Sequence, residues 1–128
     1  MKKAVQIVLL NNEGEVLAVS RKEDHTNFGL VGGKVDPEDV DEKAAAIRET
    51  KEETGLDITN LRLIFSMHKK GYMGYTYLAD YNPNQEIHTD EPHVVKWTGF
   101  QCVFDGWFGR WNKLVYESLE SMGIKAKI

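Results

Sequence analysis

Three glutamates fall within segment 48–56, which reads RETKEETGL. Glu49, Glu52 and Glu53 are spaced three and four residues apart, so on a helix their carboxylates lie on one side. Like charges at this spacing cost roughly 0.2–0.5 kcal/mol per pair on an isolated helix, so a cation is expected to offset them. Mg²⁺ and Mn²⁺ prefer oxygen ligands, and Mg²⁺ is usually held by one or two carboxylates together with substrate phosphates. The pattern therefore predicts a divalent metal site on a helix that Gly55 ends.

An acidic, lysine-containing helix is by itself most often a solvated surface. The preceding segment 29–37, GLVGGKVDP, changes this interpretation because its glycines let the backbone approach a ligand closely. Such a loop can offer carbonyl oxygens to a metal and N–H groups to phosphate. Gly32, Gly33 and Lys34 are therefore candidate substrate-binding residues, and loop and helix together predict one site.

In these two segments the chain resembles the Nudix hydrolases, whose signature is G-x5-E-x7-R-E-U-x-E-E-x-G-U, with U a bulky aliphatic residue. Seven residues stand at signature positions: Gly33, Arg48, Glu49, Glu52, Glu53, Gly55 and Leu56. The chain departs from the signature twice. One extra residue separates Gly33 from Arg48, so the early acidic position falls on Asp39, with Glu38 as the second choice. Thr50 takes the aliphatic position, where its methyl group can still pack.

The resemblance implies an α/β fold, the Nudix-type α/β/α sandwich with a mixed central sheet. It also implies hydrolysis of a phosphoanhydride in a nucleoside diphosphate linked to another moiety, with Mg²⁺, or Mn²⁺ in its place, as the cofactor. Glu49, Glu52 and Glu53 would bind the metal, together with a carbonyl of the Gly32–Gly33 turn. Arg48 would orient Glu49.

The general base stays open between a glutamate of the helix, such as Glu53, and an acid on a later loop. Segment 86–91 offers Glu86, Asp90 and Glu91, of which we favour Glu91. The alternative for this segment is a solvated acidic loop.

Aromatic residues flank the glycine loop in this type of fold, and their faces can stack on a base. We select Phe28, Tyr75 and Tyr77 as base contacts, and strand alternation puts the two tyrosines on one face. The alternative is that these strand aromatics belong to the core.

Composition limits the classes of function. The 128 residues predict a single domain, 1–128, and a net charge of −4 with a pI near 5.6 argues against a nucleic-acid partner. The basic N-terminus leads into a short apolar run that predicts a first strand rather than a signal peptide. No run reaches the ~18 apolar residues of a membrane span. We therefore expect a cytoplasmic protein without a membrane partner; a homodimer is compatible with the sequence.

Turn and periodicity signals give the elements that position the site. Strands at 4–10 and 15–20 predict a hairpin, and a helix is predicted from Val40 or Asp41 to Thr54. The later elements are predicted as strands at 58–68, 72–81 and 93–98 and a helix at 107–122.

The sequence is compatible with two alternative functions. The first is a metal-dependent pyrophosphohydrolase acting on (deoxy)nucleoside triphosphates or oxidised nucleotides, with ADP-ribose or nucleotide sugars as alternative substrates. The second is a nucleotide-binding module of the same fold without turnover. A degenerate module would be expected to lack Glu52 or Glu53, and both are present.

Overall fold

The computed structural model describes residues 2–128 and contains one mixed sheet of six strands. The strands are β1 Lys2–Leu9, β2 Val16–Ser20, β3 Phe28–Lys34, β4 Thr59–Lys69, β5 Tyr72–Asp80 and β6 Val95–Thr98. The helices are α1 Glu42–Thr54, α2 Gln101–Phe104 and α3 Gly109–Ser121. Their order in the sheet is β4-β5-β1-β3-β2-β6. Only β1 and β5 run parallel; the other neighbours are antiparallel.

The predicted hairpin between the first two strands is wrong. After a single bridge between Leu10 and Val16 the two strands separate, and β3 lies between them. β1 buries side chains on both faces, as a central strand does, and it pairs with β3 on one side and β5 on the other. A turn therefore links β1 to β2 in sequence without making them neighbours in the sheet.

Each face of the sheet is covered by helix, which gives the predicted α/β/α sandwich. One core cluster joins Val5, Ile7 and Tyr77 to Ala45 and Ala46 of α1. The other cluster lies on the opposite face and contains residues from the sheet, α2 and α3, among them Val8, Leu30, Phe100, Val115 and Leu119. The short α2 was absent from the sequence prediction.

Local signals fix both ends of α1. The Asp41 side chain accepts a hydrogen bond from the N–H of Ala44, and Gly55 ends the helix with a φ of 76°. Ala45 and Ala46 are fully buried, so their small side chains let α1 lie close to the sheet. Thr50, at the aliphatic signature position, is buried and donates its hydroxyl proton to the Ala46 carbonyl. The helix carrying the acids is thereby held against β1 and β3.

None of the helices in residues 2–128 is long and apolar enough to cross a membrane.

Candidate active site

Glu53 connects α1 to Gly32, in the segment predicted as a glycine-rich loop. That part of the prediction is wrong: Gly32 and Gly33 lie in strand β3 and pair with Gln6 and Val5 of β1, because the neighbouring strand supplies backbone partners that a single stretch of sequence does not show. Its Oε1 accepts the backbone N–H of Gly32 at 2.9 Å. Burial raises the pKa of the Glu53 carboxyl to about 8, and the nearby charges of Glu49 and Glu91 act in the same direction. A carboxyl held in this way binds a proton or a cation in preference to standing alone as an anion.

Glu49 lies one turn earlier and faces Gly33. A Cβ added at Gly33 would overlap the Glu49 carboxyl group, so glycine is what makes room for this acid. Burial raises the pKa of Glu49, and the guanidinium of Arg48 opposes that shift. Two carboxyl groups whose pKa is raised by burial therefore lie against Gly32 and Gly33 of β3.

Arg48 ties the helix to the end of β3 and to four acids, one of which is Asp36, whose carboxylate lies 3.3 Å from Nη2. Its Nε and Nη2 donate to the two carboxylate oxygens of Asp39 at 3.0 and 2.9 Å, and Nη2 also donates to the Lys34 carbonyl at 3.1 Å. Nη1 donates to Glu49 at 3.0 Å and to Glu52 at 3.3 Å. This planar fork matches a carboxylate better than a lysine ammonium would.

The insertion before Arg48 is accommodated by Asp39. Its carboxylate is only 7% exposed, and the Arg48 guanidinium holds the pKa of Asp39 below its ordinary value. It also accepts the N–H of Asp36 at 2.8 Å. Asp39 therefore holds the Arg48 guanidinium in place, whereas the Glu38 side chain is exposed to solvent. Glu52 is half exposed and lies on the Arg48 side of the helix.

The loop between β5 and β6 covers the C-terminal end of α1. Its Thr89 hydroxyl donates to the Glu52 carbonyl at 3.1 Å, and the N–H of His88 donates to the Thr54 carbonyl at 2.8 Å. His93 Nε2 lies 2.7 Å from the Glu53 carbonyl; because a carbonyl only accepts, Nε2 carries the proton. The loop thus satisfies helix carbonyls that α1 itself leaves without partners.

This loop brings Glu91 to the acid pair. Its carboxylate lies 3.3 Å from His93 Nδ1 and 3.5 Å from Lys22 Nζ, and its charge contributes to the raised pKa of Glu53. The other acids considered on this segment, Glu86 and Asp90, are exposed.

A cavity of about 570 Å³ opens on the opposite face of the sheet, beside Gly32 and Gly33. Gly32, Gly33 and Lys34 form part of its wall. The remaining wall comes from β1, the β4–β5 turn, β5 and the start of α3, and includes Gln6, Lys69, Lys70, Tyr72, Trp107, Phe108 and Trp111. Sequence reasoning missed Gln6 and the two tryptophans. The available signal was Gln6 itself, the polar residue within the apolar run from Ala4 to Leu9.

The three predicted aromatic contacts do not turn their rings toward the cavity. Tyr75 reaches the cavity wall along β5, but its ring packs with the core cluster under α1 on the other face of the sheet. Phe28 and Tyr77 are 5% and 6% exposed and pack in the core, so neither presents a free ring face to a ligand.

The donor set fits a divalent cation that arrives with a phosphate. Across residues 2–128, no three Asp, Glu, His or Cys side chains already surround a common point. Two partly buried carboxyl groups, Glu49 and Glu53, nevertheless stand together with raised pKa values. Mg²⁺ needs only one or two carboxylates when phosphate oxygens complete its shell.

Replacing Gly33 by alanine should lower kcat/KM about 100-fold, because the new methyl group displaces the Glu49 carboxyl by an ångström or more. Steady-state kinetics on the best substrate measures this effect. Gly123→Ala provides the control, since a Cβ there has nothing within 4 Å although its φ of +75° adds some strain. Full activity in Gly33→Ala would mean that Glu49 does not need its observed position.

The stability of the metal-free protein should fall as pH rises from about 4.5 to about 8. In this window folded Glu53 keeps its proton, up to a pKa of about 8, whereas the unfolded chain releases it near the ordinary value of 4.5. The unfolded state then binds fewer protons, so the free energy of unfolding decreases with pH. Thermal melts of the protein in EDTA at several pH values measure the slope. Glu53→Gln should flatten it, and equal slopes in the two proteins would contradict the assignment.

Comparison with known proteins places these features in a family. A model of the NUDIX domain matches residues 1–113. A MutT/nudix family protein from Enterococcus faecalis is 26% identical with a TM-score of 0.62, and the match covers 75% of this chain and 42% of that one. This chain thus spans less than half the length of the Enterococcus protein.

Two further solved structures cover nearly the whole chain. A MutT NUDIX hydrolase from Burkholderia pseudomallei is 22% identical with a TM-score of 0.71, covering 92% of this chain and 97% of that one. A MutT structure described for Aliivibrio salmonicida and Vibrio cholerae is 17% identical with a TM-score of 0.75, covering 94% and 98%. Among curated protein sequences none matches significantly.

Proposed function

Because this chain belongs to the Nudix hydrolase family, we propose that it hydrolyses a phosphoanhydride bond of a nucleotide, with (deoxy)nucleoside triphosphates or oxidised nucleotides as the leading substrates. One observation carries the proposal: Gly32 and Gly33 of β3 border both the acids and the cavity. Gly32 and Gly33 contact the acids of α1 on one side, and together with Lys34 they wall the cavity on the other. A molecule with a ring system in the cavity would have its phosphates at the acids.

Glu49, Glu52 and Glu53, with a carbonyl of Gly32 or Gly33 in β3, are the groups we assign to hold Mg²⁺ or Mn²⁺. When bound, the cation neutralises the phosphates, polarises the P–O bonds and lowers the pKa of the attacking water. Arg48 fixes the approach of Glu49 through its bonds to Asp39 and the Lys34 carbonyl. The acids need this support because a misplacement of about 1 Å can cost roughly 100-fold in rate.

We assign Glu91 as the acceptor of the proton that water loses when its oxygen bonds to phosphorus. Glu91 stands near Glu53, its carboxylate lies 3.5 Å from Lys22 Nζ, and its backbone N–H donates to the Thr89 hydroxyl at 3.1 Å. As the new P–O bond forms, the bridging P–O bond breaks and the phosphate that leaves keeps the electron pair. The Lys34 ammonium, at the cavity wall, is placed to face the charge on the departing group.

The cavity supports a nucleotide substrate by size and lining. Its volume of about 570 Å³ lies within the range of small-molecule pockets, roughly 300–1,000 Å³. Indole and phenol rings on its walls provide flat surfaces for stacking.

The test is a panel of substrates with Mg²⁺, Mn²⁺ or EDTA, with products identified by phosphorus NMR. The panel contains nucleoside triphosphates, oxidised nucleotides, ADP-ribose, nucleotide sugars and dinucleoside polyphosphates. We expect cation-dependent release of pyrophosphate and a nucleoside monophosphate from a triphosphate. Preferential cleavage of ADP-ribose or a nucleotide sugar would replace the leading substrate. Nucleotide binding without turnover in folded protein would favour a binding module.

A further inference from the structure

Gln6 is the polar side chain of β1 at the cavity. Its neighbours on the same face of this strand, Ala4 and Val8, are apolar, and Val8 is fully buried. Gln6 lies between Gly32 of β3 and Thr76 of β5 in the sheet. Gln6 is therefore on the strand next to Gly32 and Gly33, the residues that lie between the cavity and the acids.

A relay of hydrogen bonds sets which end of the Gln6 amide is free. The indole N–H of Trp111 can only donate, and it donates to the Thr76 hydroxyl oxygen at 3.2 Å. The hydroxyl proton of Thr76 is then directed at Gln6 Oε1, 3.4 Å away. Because Oε1 faces this donor, the NH₂ group is the end that remains, and no acceptor in the described chain bonds it.

The relay starts from a rigid side chain. The six-membered ring of the Trp111 indole lies close to Gly74, where an added Cβ would collide with it. Phe65 packs edge-on against the same indole, with ring centroids 5.3 Å apart. Thr76 is fully buried between Trp111 and Gln6. The amide orientation is therefore built into the fold and does not depend on an exposed, rotating group.

We propose that Gln6 is a specificity-determining residue that offers its NH₂ group to a ring carbonyl of the base, so that the cavity prefers 6-oxopurine nucleotides to 6-aminopurine nucleotides. The inference rests on the proposed nucleotide hydrolase function. A 6-oxo group accepts the amide N–H, whereas a 6-amino group presents its own hydrogens to it and leaves both donors unpaired. Gln6 touches the base and takes no part in bond breaking.

Inosine and adenosine nucleotides test this most directly because both are unmodified purines that differ at position 6. We expect the wild-type kcat/KM for ITP to exceed that for ATP by about tenfold or more. Gln6→Ala should bring this ratio close to one. Gln6→Glu replaces the donor by an acceptor and should favour ATP. Gln101→Ala, a glutamine change on the exposed start of α2, is the matched control and should keep the wild-type ratio.

Thr76→Val tests the relay while leaving Gln6 in place. Without the hydroxyl the amide can turn over and present either end, so the ratio of kcat/KM for ITP to kcat/KM for ATP should fall toward one. A second readout avoids turnover: quenching of tryptophan fluorescence by IMP and AMP, without divalent cation, gives the ratio of dissociation constants. It should favour IMP in the wild type and narrow in Gln6→Ala and Thr76→Val.

The outcomes separate the two proposals. Turnover of nucleotides with the same ITP to ATP ratio in wild type, Gln6→Ala and Thr76→Val would overturn the role of Gln6 and leave the hydrolase function standing. Absence of both turnover and nucleotide binding in the folded wild type would overturn the proposed function, and this inference with it.

Discussion

Glu53→Gln should lower kcat by about three orders of magnitude, because the proposed cation loses its most constrained carboxylate ligand. Glutamine has the same size and its amide oxygen can still accept the Gly32 N–H, so the end of β3 should keep its position. Relative to the wild type, the free energy of unfolding of the metal-free variant should rise progressively between pH 4.5 and about 8 and stay higher above pH 8, because the variant carries no buried carboxyl that ionises. Rates at saturating substrate and Mg²⁺, together with thermal melts, measure both effects.

Glu120→Gln is the matched control. Glu120 is an exposed glutamate on α3, for which the described residues show no side-chain partner, so its variant should retain wild-type rates. If Glu53→Gln hydrolysed the substrate as fast as Glu120→Gln, the metal site would have to lie elsewhere.

Arg48→Ala should have the second largest effect, on both stability and rate. It removes the cation that bonds Asp39, Glu49 and Glu52 and leaves these acids facing one another. We expect a loss of about 2 kcal/mol in stability, less than for a fully buried pair because the Arg48 side chain is 28% exposed. We also expect kcat/KM to fall about 100-fold as Glu49 loses its orientation. Urea denaturation and steady-state kinetics are the measurements.

One further variant of Arg48 separates the effect of its charge from the effect of its geometry, and a control variant lies elsewhere. Arg48→Lys keeps the charge but cannot bond both Asp39 oxygens and Glu49 at once, so its activity should fall between those of wild type and Arg48→Ala. Arg62→Ala is the control, since Arg62 forms an exposed pair with Asp80 and its loss should cost less than about 1 kcal/mol. Equal effects in Arg48→Ala and Arg62→Ala would show that Arg48 does not organise the site.

The acidic helix was predictable because its signals are local, whereas the glycine segment before it was predicted as a loop and lies in strand β3. Asp41 and Gly55 mark the ends of α1 within the sequence itself, and the spacing of Glu49 and Glu53 places both on one side of the helix. Counting along the chain also pointed to Asp39, ahead of Glu38, at the early acidic position, although its bonds to Arg48 could not be read from the sequence. Signals of this kind need only the geometry of one helix.

The features that were missed depend on contacts between distant segments. The order of β1, β3 and β2 in the sheet results from competition among strands, and a turn after β1 does not reveal which strand wins. The cavity takes residues from β1, β3, β5 and α3, so no single window of sequence shows it. Trp111 fits the apolar stripe of α3, and only its neighbours show that it also walls a cavity.

A titration of Mn²⁺ followed by electron paramagnetic resonance tests the central claim most directly, because protein-bound Mn²⁺ loses the signal of the free ion. The account predicts that wild-type protein and Glu120→Gln bind Mn²⁺, more tightly when a nucleoside diphosphate is present, and that Glu49→Gln combined with Glu53→Gln abolishes this binding. Unchanged Mn²⁺ binding by the folded double variant would contradict the assignment of the metal site to these two acids.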